Sequence, residues 1–166
     1  MSPVARRAVA WSVTALAAVA MPCAAQEVGF QEAAYDWTLR GVDGDTFRLA
    51  DYRGRPLVLN VWATRCAPCV AELPGLERLA TSLQGTGVEV LAVSPESLSR
   101  VLPFLDVHGL ALPAAVEDQR IPAAFGLRAL PTTYVLDAEG RIVLVRRGAA
   151  DWDQEPVRRF LLSLIP

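Results

Sequence analysis

A pair of cysteines three positions apart is the feature of this chain best suited to chemistry. Cys66 and Cys69 lie in the stretch "WATRCAPCVAELP", far from the remaining cysteine, Cys23. A C-x-x-C spacing serves a redox-active disulfide or half of a metal site. A zinc site needs about four ligands, whereas the single histidine, His108, falls on a different predicted helix. The sequence therefore favours a redox pair and predicts no metal site and no cofactor.

The pair follows a predicted buried strand and opens a predicted helix. "PLVLNVW" (residues 56–62) is a continuous apolar run of strand length, and the helical spacing of leucines begins after Cys66. The N-terminus of a helix offers free amide donors and the positive end of the dipole, which stabilise a thiolate. We therefore expect Cys66 to be exposed and nucleophilic. Cys69, one turn further, is expected to be buried and to resolve a mixed disulfide.

Two residues outside the pair are candidates for a part in its chemistry. Glu72 comes three residues after Cys69 on the same side of the helix, where it could move protons for the dithiol. The alternative is an ordinary exposed glutamate. Pro131 stands at the start of a later predicted strand, where it cannot donate to the ladder. We expect a cis Leu130–Pro131 bond that orients the backbone to pair with an extended substrate, and the alternative is a trans proline at a strand edge.

The surface around the pair is expected to bind the substrate. Arg65, immediately before the first cysteine, brings a cation near the sulfur and so favours the thiolate. The alternative is that Arg65 points to solvent and does little. Trp62 is mainly a packing residue that could double as active-site surface. The predicted substrate-binding residues are Trp62, Arg65, Pro68, Leu130 and Thr132.

The rest of the chain alternates strands and helices. "YDWTLRGVDGDTFRLADYRGR" predicts a β-hairpin, "VEVLAVS" a second buried strand, and "TTYVLD" with "RIVLVRRG" a second hairpin. A helix is predicted near residues 96–108, and a terminal helix is predicted with Asp153 as its cap. That terminal helix is expected to pack through Val157, Phe160, Leu161 and Leu164. The order predicts an α/β fold with a central mixed sheet flanked by helices.

The first 25 residues are typical of a secretory signal. Arg6 and Arg7 precede the uncharged apolar stretch 8–21, and small residues at Cys23 and Ala25 suit cleavage after residue 25. The alternative is an uncleaved anchor. We expect residues 26–34 to be a short flexible lead and residues 35–166 to be one domain without a membrane span. The cleaved chain would keep only two cysteines, in a compartment where disulfides persist.

Charge argues against nucleic-acid binding. The 16 basic residues are all arginine, the formal net charge is −2, and the arginines are scattered along the sequence without a basic stripe. Proteins that bind the phosphate backbone usually concentrate their positive charge. The sequence therefore predicts no nucleic-acid partner.

Two long stretches resemble a known family. "LVLNVWATRCAPCVAELPGLERL" resembles the active-site segment of the TlpA/ResA-like thioredoxin family, and "GLRALPTTYVLDAEGRIVLVRRG" resembles its cis-proline loop and following hairpin. The resemblance covers roughly residues 35–165. It implies a thioredoxin-like fold with an N-terminal β-hairpin and a central helix/strand insert. It also implies Cys66 as nucleophile, Cys69 as resolving thiol, Pro131 as the cis-proline and Glu72 as the acid/base, with Asn60 replacing the buried aspartate of thioredoxin.

The resemblance also implies a function. The expected activity is periplasmic thiol–disulfide exchange with protein disulfide substrates, as a reductant served by a membrane thiol–disulfide electron donor. Cytochrome c maturation and metal-site assembly are the expected settings. Arg65 departs from the family, which usually has tryptophan there. A peroxiredoxin-like thiol peroxidase and a redox-inert chaperone or docking module remain as alternatives.

Overall fold

The computed structural model describes residues 35–117 and 121–166, so the predicted signal and lead lie outside the described residues. Its strands are β1 Thr38–Gly41, β2 Thr46–Arg48, β3 Leu57–Val61, β4 Glu89–Ser94, β5 Ala114–Val116, β6 Thr132–Leu136 and β7 Ile142–Arg147. Its α-helices are α1 Ala67–Leu83, α2 Leu98–His108 and α3 Glu155–Leu162, and short 3-10 turns span Leu49–Tyr52 and Ala123–Phe125. The elements predicted above occur in this order, with the short strand β5 and the 3-10 turn Ala123–Phe125 between α2 and β6.

The seven strands form one mixed sheet in the order β2-β1-β5-β4-β3-β6-β7. The central strands β3, β4 and β5 are parallel, whereas β6 lies antiparallel beside β3, and the edge strand β7 is antiparallel to β6. Both predicted hairpins are present, as β1–β2 and β6–β7. All residues of β3 are buried, as expected for a strand covered on both faces. The predicted α/β class with a central mixed sheet is confirmed.

Helix α1 begins directly after Cys66, which is its N-cap residue. Pro68 lies in the first turn, where a missing amide proton removes no helical hydrogen bond. Pro74 lies inside the helix, which nevertheless continues to Leu83. The buried side of α1 consists of Cys69, Glu72, Leu73, Leu76, Leu79 and Leu83. Burying each of these leucines stabilises the fold by about 1.5–3 kcal/mol, which fixes the helix carrying both cysteines against the sheet.

Alternate residues of β3 supply two separate cores. Val58 of β3 and Trp62, directly after the strand, belong to the cluster packed with α1, whereas Leu59 and Val61 belong to the cluster on the opposite face. This alternation follows from the two-residue period of a strand. It turns Asn60 toward the face that carries α1, where its side chain contacts that helix.

The start of α3 differs from the prediction. Gln154 occupies the N-cap position, whereas the Asp153 carboxylate forms an ion pair with Arg78 on α1. Phe160, expected to be packed, is 38% exposed. A local capping rule could not foresee that a long-range arginine partner would take the Asp153 carboxylate. Within residues 35–117 and 121–166, no helix is both long and apolar enough to cross a membrane.

Candidate functional site

The two cysteines form a disulfide whose halves have very different surroundings. The sulfur atoms of Cys66 and Cys69 lie 2.09 Å apart and the Cα atoms 5.2 Å apart. Cys66 is partly exposed, whereas Cys69 is completely buried. The Cys69 backbone N–H donates to the Cys66 sulfur at 3.3 Å. Cys69 is buried as predicted, and Cys66 is the more exposed residue of the pair, although it is only partly exposed and packs against the core.

Glu72 is buried rather than an exposed helix residue. Only 4% of its surface is accessible. One carboxylate oxygen accepts a hydrogen bond from Asn60 Nδ2 at 2.8 Å. The other accepts from the Ala150 backbone N–H at 2.9 Å and from Trp152 Nε1 at 3.0 Å. The exposed alternative is therefore wrong, and Trp152, to which the sequence analysis gave no role, is a hydrogen-bond partner of this carboxylate.

The Asn60 amide links Glu72 to strand β6. Its Nδ2 also donates to Thr133 Oγ1 at 2.8 Å, so β3, α1 and β6 are joined by one buried polar group. Glu72 also lines a groove of about 340 Å³ together with Ala149 and Asp151. Glu72 therefore lies at the edge of this groove, while buried and backbone donors hold both of its carboxylate oxygens.

The loop before β6 has the backbone expected at Pro131. The Leu130–Pro131 peptide bond is cis. Pro131 is buried and its carbonyl accepts from the Gly148 N–H at 2.9 Å, which ties the loop to the end of β7. Thr132 pairs with Val61, the last residue of β3. The loop therefore lies at the end of the sheet from which the chain continues to Cys66.

The predicted substrate-binding residues separate into two groups. Arg65 and Pro68 are exposed and Leu130 is partly exposed, so their side chains are accessible. Trp62 and Thr132 are not, at 0% and 1% exposure. Their assignment as substrate-binding surface is therefore wrong.

The two buried residues have structural partners instead. The ring of Trp62 packs against Phe104 of α2, with 5.7 Å between ring centroids, because Trp62 continues the inward alternation of β3. The Thr132 hydroxyl donates to the Ala129 carbonyl at 2.8 Å, which braces the cis-proline loop. The position of Trp62 near the dithiol, and of Thr132 next to Pro131, did not reveal that both side chains are buried.

Glu96 is a site residue that the sequence analysis missed. Its carboxylate accepts from the Thr64 backbone N–H at 2.6 Å and from the Thr64 hydroxyl at 2.9 Å. Ser94 Oγ donates to it at 3.3 Å, and Arg100 Nε lies 3.7 Å away. Glu96 therefore fixes the loop two residues before Cys66. The available signal was that both strands were predicted to be buried in one α/β sheet; because β3 and β4 are parallel neighbours, the polar residues that follow them meet at one edge.

Arginine charge reaches the same region of the sheet. Burial raises the pKa of the Tyr134 hydroxyl, and the positive charge of Arg147 acts in the opposite direction. Tyr134 is in β6, two residues after Thr132, and Arg147 ends β7 opposite Thr132. The Arg147 charge therefore acts on a residue of β6, the strand that follows the cis-proline loop.

Known proteins match most of the chain. The AhpC/TSA family model matches residues 30–145. Thiol-disulfide oxidoreductase ResA of Geobacillus thermodenitrificans is 35% identical over 133 residues, which cover 79% of this chain and 75% of that protein. Thioredoxin-like protein YneN of Bacillus subtilis is 35% identical over 123 residues, which cover 70% and 72%.

Solved structures agree on the fold. The exposed lipoprotein thioredoxin Etrx1 of Streptococcus pneumoniae superimposes with a TM-score of 0.65 at 30% identity, covering 77% of this chain and 98% of that chain. A thiol:disulfide interchange protein of Chlorobium tepidum gives a TM-score of 0.67 at 24% identity, covering 78% and 94%. At that identity the second match shows the fold alone, which is thioredoxin-like as expected. With the site geometry and the matching relatives taken together, the chain belongs to the AhpC/TSA family and is a ResA-like thiol–disulfide oxidoreductase.

Proposed function

We propose that this oxidoreductase reduces disulfides of partner proteins in the periplasm. The observation that carries the proposal is the unequal exposure within one disulfide: Cys66 reaches the surface at the start of α1, and Cys69 is completely buried. A partner can therefore form a bond with Cys66 alone. Cys66 is the attacking thiol and Cys69 is the resolving thiol.

The exchange proceeds in two balanced steps. The Cys66 thiolate attacks one sulfur of the partner disulfide and releases the other as a thiolate. Cys69 then loses its proton and attacks the Cys66 sulfur, which releases the second sulfur of the partner. Two electrons pass to the partner, and the protein keeps the Cys66–Cys69 disulfide. Glu72, one turn after Cys69 and at the edge of a groove, is our candidate acceptor of the Cys69 proton.

A trapping experiment tests this division of labour. Cys69→Ser removes the resolving sulfur, so reaction with a disulfide peptide should stop at a covalent adduct on Cys66. Intact mass and peptide mapping identify the adduct, and a reducing agent should release it. The matched variant Cys66→Ser should form no adduct. Equal trapping by both variants, or by neither while both are folded, would contradict the proposal.

The reducing direction and its electron supply form a further part of the proposal. Ala67 and Pro68 between the cysteines include no histidine to stabilise the thiolate, which favours a reductant, whereas Arg65 acts in the opposite direction. The proposed electron donor is a membrane thiol–disulfide protein. Acid quenching and alkylation of living cells should find the pair mostly reduced, and mostly oxidised once such a donor is deleted. A pair that is mostly oxidised in wild-type cells would indicate an oxidant instead.

The proposed location rests on the first 25 residues and on the family resemblance. We propose export to the periplasm with cleavage after Ala25, and partners in cytochrome c maturation or metal-site assembly. Cell fractionation followed by N-terminal sequencing tests the location. A mature protein beginning at Gln26 in the periplasmic fraction is the expected result, and an intact N-terminus in the cytoplasm would contradict it.

A thiol peroxidase is the second candidate, because the AhpC/TSA model matches most of the chain. Such enzymes use a threonine or serine near the reactive cysteine, and Thr64 is the residue available here. Both its backbone N–H and its hydroxyl are engaged by Glu96. We therefore expect slow consumption of hydrogen peroxide compared with reduction of a peptide disulfide. Faster peroxide turnover would favour the peroxidase.

A further inference from the structure

Four exposed arginines lie at the end of the sheet that carries the dithiol. They are Arg65, Arg128, Arg146 and Arg147, which we call the arginine rim. None of them forms an ion pair or side-chain hydrogen bond with another residue in the described ranges 35–117 and 121–166. We propose that the arginine rim is a docking surface for an acidic segment flanking the disulfide of the partner protein. This inference rests on the disulfide exchange proposed above.

The register of the strands places part of the rim beside the site. Val61 ends β3 opposite Thr132, and Thr132 in turn lies opposite Arg147 near the end of β7. Since neighbouring strands are about 4.8 Å apart, the Arg147 backbone lies about 10 Å from the end of β3. The Gly148 N–H bond to the Pro131 carbonyl fixes this end of β7 to the cis-proline loop. We call this end of the sheet the site end.

The other arginines bring charge from different directions. Arg65 directly precedes Cys66, and Arg128 is two residues before Leu130 in the loop that leads to the cis-proline. Arg146 and Arg147 are consecutive in β7, so their side chains leave opposite faces of the sheet. Three separate parts of the chain therefore bring positive charge to the site end, although the arginines are scattered in the sequence.

The carboxylates nearest the site do not neutralise the rim. Glu72 is buried and takes its hydrogen bonds from neutral donors. Glu96 is engaged by Thr64 and Ser94, and the arginine near it is Arg100 rather than a rim residue. The exposed Asp151 accepts from Gln154. Among residues 35–117 and 121–166, no carboxylate therefore pairs with the rim guanidinium groups, which can bind carboxylates of another molecule.

Aspartate and glutamate side chains on the partner match this surface. Arginine binds carboxylates through paired, charge-assisted hydrogen bonds, and complementary charge mainly increases the rate of encounter. The docked disulfide then reacts by the balanced exchange described above, and the rim takes no part in bond making. The rim thus selects substrates by the sequence around their cysteines.

Matched peptides test the proposal. Two peptides carry the same intramolecular disulfide, one flanked by aspartate and glutamate and the other by lysine and arginine, and each is mixed with the fully reduced protein. At low salt we expect the acidic peptide to react about tenfold faster. The ratio should approach one at about 0.5 M salt because exposed charges are then screened.

Variants assign the effect to the rim. Arg146→Gln/Arg147→Gln should lower the ratio of the two rates several-fold, whereas Arg53→Gln/Arg55→Gln, with the same change in net charge at the start of β3, should leave it near the wild-type value. Arg128→Gln provides a second rim variant if the double change prevents folding. Equal rates for the two peptides at low salt, or a ratio that both double variants lower equally, would overturn the docking surface. If neither peptide is reduced, the proposed disulfide exchange fails and this inference fails with it.

Discussion

The two ends of the central sheet use arginine in opposite ways. At the end where β3 begins and the β6–β7 turn lies, which we call the turn end, Arg141 forms ion pairs with Asp137 at 2.7 Å and with Glu139 at 3.2 Å. Arg55 pairs there with Glu89. At the site end the rim arginines have no such partners among the described residues. Arg55 and Arg141 at the turn end thus pair with carboxylates of this chain, whereas the rim arginines pair with none of the described residues.

The carboxylates show the complementary difference. At the turn end, the Asp137 carboxylate accepts from the backbone N–H and the guanidinium of Arg141, which is itself 57% exposed. At the site end, Glu72 accepts only from neutral groups, among them the buried Trp152. Both carboxylates are buried, but the one at the turn end is paired with an arginine, whereas the one at the site end has neutral partners and lies at the same end of the sheet as the arginine rim.

The largest expected effect in stability comes from Glu72→Ala. Its removal leaves the Ala150 N–H and Trp152 Nε1 without their acceptor. Because a buried unsatisfied donor costs about 1–3 kcal/mol, we expect the free energy of unfolding to fall by about 3 kcal/mol. Urea denaturation of the oxidised protein measures it.

The matched control is Asp137→Ala at the turn end, where water can solvate Arg141 again. There we expect a loss of about 1 kcal/mol. Equal losses of unfolding free energy in the two variants would contradict the comparison between the ends, because the two carboxylates would then stabilise the fold equally.

Glu96→Gln should lower the rate of disulfide reduction more than it lowers the stability of the fold. The variant keeps the shape of the side chain but replaces one oxygen with an NH₂ group, which cannot accept from Thr64. Misplacement of the loop before Cys66 should lower the second-order rate of peptide disulfide reduction about tenfold. Arg100 lies beside the same carboxylate but does not contact Thr64. Arg100→Gln should therefore change the rate of peptide disulfide reduction less than about twofold. A tenfold loss in both variants would show that charge, rather than the Thr64 contact, matters.

The turn end should govern stability at alkaline pH. Burial, together with the Glu89 carboxylate, raises the pKa of Tyr52 to about 12, from an ordinary value near about 10. Because the folded state holds this proton more tightly, the corresponding stability is complete below about pH 10 and is lost as the pH rises toward about 12. Tyr52→Phe should therefore lose less stability across this window than the wild type. If the unfolding free energies of the two proteins fell in parallel as the pH rises, the raised pKa of Tyr52 would not be the cause of the loss.

The smallest effect is expected from Arg141→Gln. Exposed ion pairs contribute little, so the free energy of unfolding should change by less than about 1 kcal/mol. The rate of peptide disulfide reduction should match the wild type, because this arginine lies at the turn end. A clear loss of rate would mean that the two ends are coupled.

Local sequence patterns predicted the elements that position the site. The apolar run that became β3 and the leucine spacing of α1 each reflect burial that neighbouring residues specify. The C-x-x-C pair at their junction followed from the same patterns. The cis-proline position followed from a proline at the start of a strand, where its ring nitrogen cannot donate to the ladder.

The remaining features depend on long-range contacts that a local pattern does not contain. Asp153 is not a cap because Arg78, on another helix, takes its carboxylate. Glu96 reaches the site only because β4 lies beside β3. Trp62 faces the core because of its parity in the strand, which the position next to the cysteines obscured. The arginine rim likewise combines residues from three separate parts of the sequence.

The central claim is that Cys66 reacts with partners and Cys69 is buried. Alkylation of the reduced protein tests this claim most directly. Folded reduced protein is treated with iodoacetamide, and the labelled cysteines are mapped by peptide mass over time. We expect Cys66 to react at least about 100-fold faster than Cys69, and both to react alike in urea. Comparable labelling rates of the two thiols in the folded protein would contradict the division of labour between Cys66 and Cys69.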